Sequence, residues 1–203
     1  NGVVYMQVTR GVAPRYHGFP KGTTPVLVVT AKHVDHDRFA ESKKDGIRLI
    51  SSPEIRWARP DIKSISLLPN VIGKQKALDQ GAYEAVLVKP DGTVTETNST
   101  NIWIVNDHGE LQTHPMGQPI LNGITRQRII SLAKKKGWPV REESFTLDEL
   151  YRAKEAFLSA SVSGILSVIQ VDDRKIGDGR PGSTTAAVRQ DYKEFIHDQS
   201  AQT

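Results

Sequence analysis

The sequence predicts a mixed α/β fold of the α+β type, because strand-like runs and helical segments both recur along the chain. The 203 residues are enough for one substantial domain with a continuous core, or for one domain and part of a second. Pro-Asp-Gly at 90–92 and Asp-His-Gly at 107–109 each separate two strand-like runs, as hairpin turns do. Apolar residues at helical spacing, such as Leu68, Val71 and Leu78, mark helical segments.

The N-terminal part predicts a β-hairpin with a long loop. Strand-like runs at 2–9 and 25–31 flank a polar loop, 11–22, that contains glycine and proline. The charged segment 33–45 follows as a linker or a surface helix, and we place a soft domain boundary near residue 38. Because the chain starts without methionine and enters a strand-like run at once, we expect a further segment to precede it.

The C-terminal part predicts further strands, the first of which continue as a meander. Alternating or continuous apolar runs bounded by turn residues mark these strands at 46–51, 83–88, 93–97, 101–106, 110–113, 156–160 and 165–171. No repeat of solenoid period is visible.

The helices of this part are indicated by their start and stop signals. Gly81 ends the helix that carries Leu68, and Gly137 ends a helix that opens after the turn at 122–123. Thr146 with Glu149 has the capping-box pattern of a short helix. One face of a terminal helix carries Val188, Tyr192, Phe195 and Ile196.

Composition argues against several classes of partner. The 27 basic residues are scattered among 23 acidic ones without a basic stripe, so we expect no nucleic-acid partner. No apolar stretch has membrane-spanning length, so we expect no membrane partner. The absence of cysteine excludes disulfides and thiolate metal sites and fits a reducing compartment, which makes the cytoplasm the simplest location. The six histidines show no ligand spacing, so no metal is expected.

Three polar segments are candidate sites on local grounds. The turn at 122–125 leads into a helix, whose free N–H groups and dipole suit an anion, although local sequence alone favours a merely capped helix. The hydroxyl cluster at 159–164 ends a buried-looking strand and either supplies further donors or forms an ordinary polar turn. The polar run 96–101 either bends its strand or lines a site. Taken alone, Lys63, and Arg15 with His17, are typical of exposed side chains.

Five motifs identify a family. Each is weak alone, but five in sequence are specific. In chain order they are Arg59-Pro60-Asp61-Ile62-Lys63-Ser64, Tyr83-Glu84-Ala85-Val86-Leu87, Val94-Thr95-Glu96, Ser99-Thr100-Asn101 and Leu121-Asn122-Gly123-Ile124-Thr125-Arg126. In order and approximate spacing they resemble the branched-chain and D-amino-acid transaminases, the fold-type-IV group of pyridoxal-phosphate enzymes.

The resemblance implies roles for two residues at the centre of the chemistry. Lys63 would form the Schiff base with pyridoxal 5'-phosphate and then move the proton between the substrate Cα and the cofactor. A neutral lysine amine is a nucleophile, and once displaced by substrate it is a base. Glu96 would hold the pyridine nitrogen protonated, which makes the ring an electron sink.

The resemblance also implies the groups that bind the rest of the cofactor. Ile124 and Thr125, with Ser161 from the later strand, would bind its phosphate, in agreement with the anion site expected at the helix start. Ser99 and Thr100 match polar positions close to cofactor and substrate.

The loop that contains Arg15 and His17 indicates the branch of the family. Pro14-Arg15-Tyr16-His17 resembles the Arg-x-His carboxylate trap of D-amino-acid transaminases, and the planar guanidinium of arginine suits a carboxylate. In those enzymes the loop reaches into the active site of the partner subunit, so the resemblance implies a homodimer. The substrates would be amino acids and 2-oxo acids.

The expected architecture follows from the same resemblance. Residues 38–203 would form the large pyridoxal-phosphate-binding domain with a barrel-like mixed sheet and flanking helices, and 1–37 the remnant of a small α+β domain. The expected activity is amino transfer between a D-amino acid and a 2-oxo acid. Alternatives within the family act on branched-chain L-amino acids, (R)-amines or aminodeoxychorismate, and only the loop at 14–17 argues against them. An alternative of another class is a non-catalytic fragment that retains the dimer surface.

Overall fold

The computed structural model describes residues 2–35 and 39–201, and for residues 200 and 201 it describes the backbone alone. The described residues form two compact units, one within 2–35 and one that begins at Phe39, and the boundary expected near residue 38 lies outside the described residues. Among the described residues, no helix combines the length and the apolar character needed to cross a membrane.

The first unit is the expected hairpin. Strand β1, Gly2–Thr9, pairs antiparallel with β2, Val26–His33, in a register that joins Gly2 to His33 and Thr9 to Val26. The connecting loop carries Arg15 and His17, and both side chains are exposed. β2 begins one residue later and ends two residues later than its sequence pattern predicts.

The second unit is built on one large mixed sheet. Its strands are β3 (Ile47–Pro53), β4 (Glu84–Val88), β5 (Val94–Thr97), β6 (Asn101–Val105), β7 (Leu111–Thr113), β8 (Val140–Glu142), β9 (Glu155–Ala160), β10 (Gly164–Val171) and β11 (Arg174–Lys175). They lie in the order β5-β4-β3-β10-β9-β6-β7-β8, and β11 pairs with β10. The pairs β10–β3, β3–β4 and β7–β8 are parallel, whereas the other ladders are antiparallel.

Five helices accompany this sheet in the described part of the second unit. They are α1 (Ala40–Asp45), α2 (Leu68–Asp79), α3 (Ile124–Lys136), α4 (Leu147–Arg152) and α5 (Ser183–Ala201). α3 ends at Gly137, whose φ of 77° is the left-handed conformation that glycine adopts at little cost. α4 begins with the predicted capping box between Thr146 and Glu149.

The two edges of the sheet meet, which makes it barrel-like. Val94 N of edge strand β5 donates to Phe145 O at 2.9 Å, and Leu147 N donates to Gly92 O at 3.0 Å. An antiparallel bridge also joins Thr93 to Thr146. Since residues 145–147 follow shortly after β8, the strand at the opposite edge, the sheet curls back on itself. The predicted mixed α/β class with a barrel-like sheet is confirmed.

Two details of the predicted strand pattern are wrong. The meander is interrupted after β5, because β6 pairs with β9 and β7 rather than with β5. Thr97 N instead donates to Thr100 O at 3.0 Å, so a tight polar turn separates the two strands. In addition, the three-residue strand β8 has no periodicity long enough to predict it.

A buried apolar layer positions the helix that starts at the candidate anion site. Trp103 of β6 and Phe157 of β9 stack with ring centroids 5.5 Å apart, and both are fully buried. Ile129 of α3 and Val188 of α5 belong to the same cluster. Burial of large side chains contributes about 1.5–3 kcal/mol each, so this layer fixes α3 firmly against the sheet.

Candidate active site

Glu96 is a buried carboxylate near the end of β5. Its residue is 6% exposed, and its Oε2 accepts a hydrogen bond from Asn101 Nδ2 at 2.9 Å. The backbone N–H of Leu121 donates to the same carboxylate at 3.2 Å, and the guanidinium of Arg56 forms a short ion pair with it. Burial raises the pKa of Glu96 to about 7, although Arg56 opposes that shift. Donors from Arg56, Asn101 and Leu121 thus hold this carboxylate in place.

Lys63 lies in the loop between β3 and α2 and is exposed. Ser64 N donates to Ile62 O at 2.7 Å, so the backbone turns tightly at Lys63. Both ends of this loop contact the segment around Glu96. At its start Arg56 pairs with Glu96, and at the beginning of α2 Asn70 Nδ2 donates to Asn98 O at 2.7 Å. The lysine loop is therefore anchored on both sides of the buried carboxylate.

The start of α3 has the properties of an anion site. Its N-cap is Gly123, which provides no side-chain cap, and its first turn contains no acidic residue. The N–H groups of the first helical turn have no acceptor within the helix and carry the positive end of its dipole. Thr125 is buried at 3% exposure, whereas Ile124 is exposed. This end of α3 can donate backbone N–H groups to an anion.

Asn101 joins Glu96 to this helix start. Its Nδ2 donates both to Glu96 Oε2 at 2.9 Å and to Leu121 O at 2.8 Å. A Cβ on Gly123 would lie 2.3 Å from Asn101 Oδ1, so only glycine allows so close an approach. One side chain thus fixes the distance between the carboxylate and the anion site.

The predicted hydroxyl residues contact a second buried carboxylate, Glu84. Ser99 and Thr97 make short hydrogen bonds to Glu84, and Thr100 Oγ1 donates to it at 3.3 Å. Thr97 Oγ1 and Thr100 Oγ1 are also 2.6 Å apart. These contacts order the turn at 98–100, so the hydroxyls of Ser99 and Thr100 are held by the protein itself.

Ser161 lies just beyond the end of β9, at the same end of the β6–β9 pair as Asn101. It is exposed in the turn between β9 and β10, two residues after Ser159, which pairs with Asn101 of β6. The structure thus links Glu96 through Asn101 to Leu121, two residues before the N-cap of α3, and the 98–100 turn directly precedes Asn101. Arg15 and His17 belong to the first unit, and their substrate-binding role stays a prediction.

The sequence patterns assign no role to Arg56, Asn101 or Glu84, although all three shape the site. Glu84 gave a signal, since it is the one charged residue in the apolar run Glu84–Val88. Asn101 lay within a recognised motif, but its contact with Gly123 depends on the fold. No sequence signal pointed to Arg56, because the path of the loop between β3 and α2 brings it near Glu96.

The fold and this site define a class of protein that comparisons identify. Residues 1–171 match the sequence model of the amino-transferase class IV family, and the chain therefore belongs to that family. The chain is 38% identical over 203 residues to the D-alanine aminotransferase of Bacillus licheniformis, covering 100% of this chain and 70% of that relative. The predicted family membership is confirmed.

Two solved structures share the fold. The Escherichia coli branched-chain amino acid aminotransferase has a TM-score of 0.81 at 28% identity over 92% of this chain and 63% of that one. The branched-chain aminotransferase of the thermophilic archaeon Thermoproteus uzoniensis, solved with norvaline, has a TM-score of 0.77 at 25% identity, over 95% of this chain and 64% of that one. The chain therefore spans just under two thirds of the length of these solved chains.

The residues of the site fit the cofactor that class IV aminotransferases use, pyridoxal phosphate. A protonated pyridine nitrogen needs an acidic partner away from water, and Glu96 is a buried acidic side chain held by Arg56 and Asn101. A phosphate needs several donors, and the uncapped start of α3 offers N–H groups. The link through Asn101 holds these two subsites together.

Proposed function

We propose that the intact protein transfers an amino group between a D-amino acid and a 2-oxo acid, with pyridoxal phosphate bound to Lys63. The observation that carries this proposal is the hydrogen-bonded link from Glu96 through Asn101 to the start of α3. It holds a partner for a ring nitrogen and donors for a phosphate at one fixed spacing. The D-alanine aminotransferase relative supports the choice of D-amino acids.

Lys63 carries the cofactor and moves a proton. When bound, pyridoxal phosphate supplies a ring that accepts the electron pair left on the substrate Cα after proton loss. The Lys63 amine, once released by the incoming amino acid, would accept that proton from Cα and deliver it to C4′ of the cofactor. Its exposed position in an anchored loop suits both tasks, because the amine stays accessible while the backbone is held.

The remaining cofactor contacts come from the ends of strands and from the start of α3. Glu96 keeps the ring nitrogen protonated, and the first-turn N–H groups at Ile124 and Thr125, with Ser161, bind the phosphate. Glu84 holds the hydroxyls of Ser99 and Thr100, so that these groups line the cofactor and substrate in a fixed orientation. A protein-held hydroxyl needs no reorganisation when the substrate arrives.

Arg15 and His17 bind the substrate carboxylate and so select the D-amino acid. We expect Arg15→Met to raise KM for D-alanine by about 10–150-fold, because a charge-assisted hydrogen bond of 1.5–3 kcal/mol is lost. Steady-state kinetics with D-alanine and a 2-oxo acid measure this effect. Arg10→Met is the matched control, since Arg10 lies in the same unit, where its guanidinium sits 4.2 Å from the ring centre of Phe19. Equal effects of both substitutions would contradict the assignment.

A second candidate is transamination of branched-chain L-amino acids. It is supported by the structural similarity to branched-chain enzymes at a TM-score of 0.81. Turnover of D-alanine and of L-leucine by the same preparation distinguishes the two candidates. Preference for L-leucine would overturn the D-amino-acid proposal but not the role of Lys63.

The active form is proposed to be a homodimer in the cytoplasm. Exposed apolar side chains crowd the lysine loop and α2, and a second copy of the chain is the occupant that would cover them. The most exposed of them are Ile65 (71%), Leu68 (70%) and Val71 (59%).

We expect Val71→Asp to convert the dimer into monomer, because a carboxylate cannot be buried unpaired in an apolar interface. Light scattering coupled to gel filtration measures the mass. Lys135→Asp on exposed α3 surface is the control and should leave the mass unchanged. A wild-type protein that runs as a monomer at micromolar concentration would overturn the proposal, and cell fractionation tests the location.

A further inference from the structure

Arg56 is a buried cation to which the proposed chemistry gives no task. Its side chain is 5% exposed, and it lies between the side chains of Glu54, which is 13% exposed, and Glu96, which is 7% exposed. Burial of a guanidinium is unfavourable unless carboxylates compensate for the lost water. The two carboxylates, Glu54 and Glu96, supply that compensation here.

Glu54 fixes the orientation of the guanidinium. Arg56 Nε donates to Glu54 Oε1 at 2.9 Å and to Oε2 at 3.1 Å, and the backbone N–H of Arg56 donates to Oε1 at 3.0 Å. Thr95 Oγ1 donates to Glu54 Oε2 at 2.7 Å, which holds that carboxylate in turn. Because the Nε side of the guanidinium is bound to Glu54, Nη1 remains to donate to Glu96.

The opposite side of Glu96 is held as well. Asn101 Nδ2 binds Oε2, Arg56 binds Oε1, and the N–H of Leu121 reaches both oxygens at 3.2–3.3 Å. The carboxylate therefore has a fixed plane, and its remaining lone pairs point in a defined direction. A planar ring can therefore hydrogen-bond to Glu96 only from that direction.

The charges of the cluster sum to one negative unit when all three side chains are ionised. Arg56 lowers the pKa of Glu96 against the larger effect of burial, and Glu54 raises it. Arg56 and Glu54 are the charged side chains that act most strongly on Glu96 in the described structure. One protonated ring nitrogen beside the three side chains would make the total charge zero. Without Arg56 the two carboxylates would carry two negative charges, and the cluster would reduce that charge by binding a proton on Glu96 itself.

We propose that Arg56, held by Glu54, is a positioning residue that orients Glu96 and favours its ionised form, so that the ring nitrogen of the cofactor rather than Glu96 carries the proton. This inference rests on the proposed role of Glu96. Arg56 touches neither substrate nor cofactor and acts through the carboxylate alone. Glu54 has two effects, since it orients Arg56 and adds the second negative charge.

The first test uses cofactor-free protein and follows the carboxyl band of Glu96 by infrared difference spectroscopy, with Glu96→Gln to assign the band. We expect Arg56→Met to raise the pH midpoint of Glu96 by roughly one unit or more, since a tenfold change in the proton equilibrium corresponds to one unit. Glu54→Gln should shift the midpoint down, because it removes a neighbouring negative charge. Opposite shifts distinguish electrostatic control from a general loss of structure.

Two further variants protect this test against misfolding. The double variant Glu54→Gln with Arg56→Met keeps the net charge of the cluster, and its Glu96 midpoint should still rise because the adjacent cation is gone. Arg189→Met is the matched control, since Arg189 is a half-buried arginine that donates to Ile165 O, Lys43 O and Ser167 Oγ at 2.8–3.1 Å. An unchanged Glu96 midpoint in the Arg56 variants would overturn the proposal.

The second test separates this inference from the proposed function. Apoprotein is titrated with pyridoxal phosphate and with its analogue in which C–H replaces the ring nitrogen. Wild type should prefer the natural cofactor, and Arg56→Met should reduce that preference about tenfold. If Glu96→Gln leaves the preference intact, the proposed role of Glu96 is wrong. If Glu96→Gln removes it and Arg56→Met does not, only the role of Arg56 is wrong.

Discussion

Replacement of Lys63 by alanine should abolish the visible absorbance of bound cofactor and lower kcat/KM by at least about 10³-fold. The loss combines the nucleophile that holds the cofactor with the base that moves the proton, and proton transfer alone contributes about 10²–10⁴-fold. Absorbance spectra and steady-state rates with a D-amino acid and a 2-oxo acid measure the two effects.

The control is Lys193→Ala, which removes an exposed lysine from α5 and should change neither signal. Retention of the absorbance band in Lys63→Ala would show that another amine carries the cofactor. Retention of the band with loss of rate would instead leave Lys63 with the proton-transfer role alone.

Glu96→Gln should lower kcat by about 10–150-fold, because an amide cannot provide the charge-assisted hydrogen bond of 1.5–3 kcal/mol that favours a protonated ring nitrogen. The side chain is nearly isosteric, and Asn101 and Leu121 still bind its carbonyl oxygen. Single-turnover kinetics isolate the chemical step from product release. Unchanged single-turnover rates would contradict the assignment of Glu96.

The same substitution should stabilise the cofactor-free protein in alkaline solution. The pKa of Glu96 is raised from 4.5 to about 7 in the folded protein, so its contribution to stability is present below pH 4.5 and is lost as pH rises through 7. The loss is on the order of 3 kcal/mol for wild type and absent in Glu96→Gln. Urea unfolding at acidic and alkaline pH measures the difference. A wild-type stability that increases with pH relative to the variant would contradict the raised pKa.

The local elements of this fold could be predicted because their signals are local. The hairpin turns, the glycine after α3 and the capping box of α4 each occupy a few consecutive residues, and the structure contains all of them. The order of the strands could not be predicted in the same way. β6 pairs with β9, more than fifty residues later, and nothing in either strand specifies its partner.

The candidate site shows the same division. Motif order identified Lys63, Glu96 and the start of α3 as a set, and the structure links Glu96 to α3. The contacts that set the pKa and orientation of Glu96 depend on how the loop after β3 folds over β5. The pairing of Arg56 with Glu54 and Glu96 is an example. The ionisation of a buried group is set by such neighbours, which adjacent residues in sequence do not reveal.

The pairing of β3 with β10 has a consequence for biosynthesis. β3 lies inside the sheet and pairs in parallel with β10, for example at Ile47 and Val168. β10 emerges from the ribosome more than a hundred residues after β3. Long-range parallel pairing is slow, and a nascent chain exposes unpaired strand edges until it is complete. Folding intermediates of this chain should therefore be substrates for chaperones during translation.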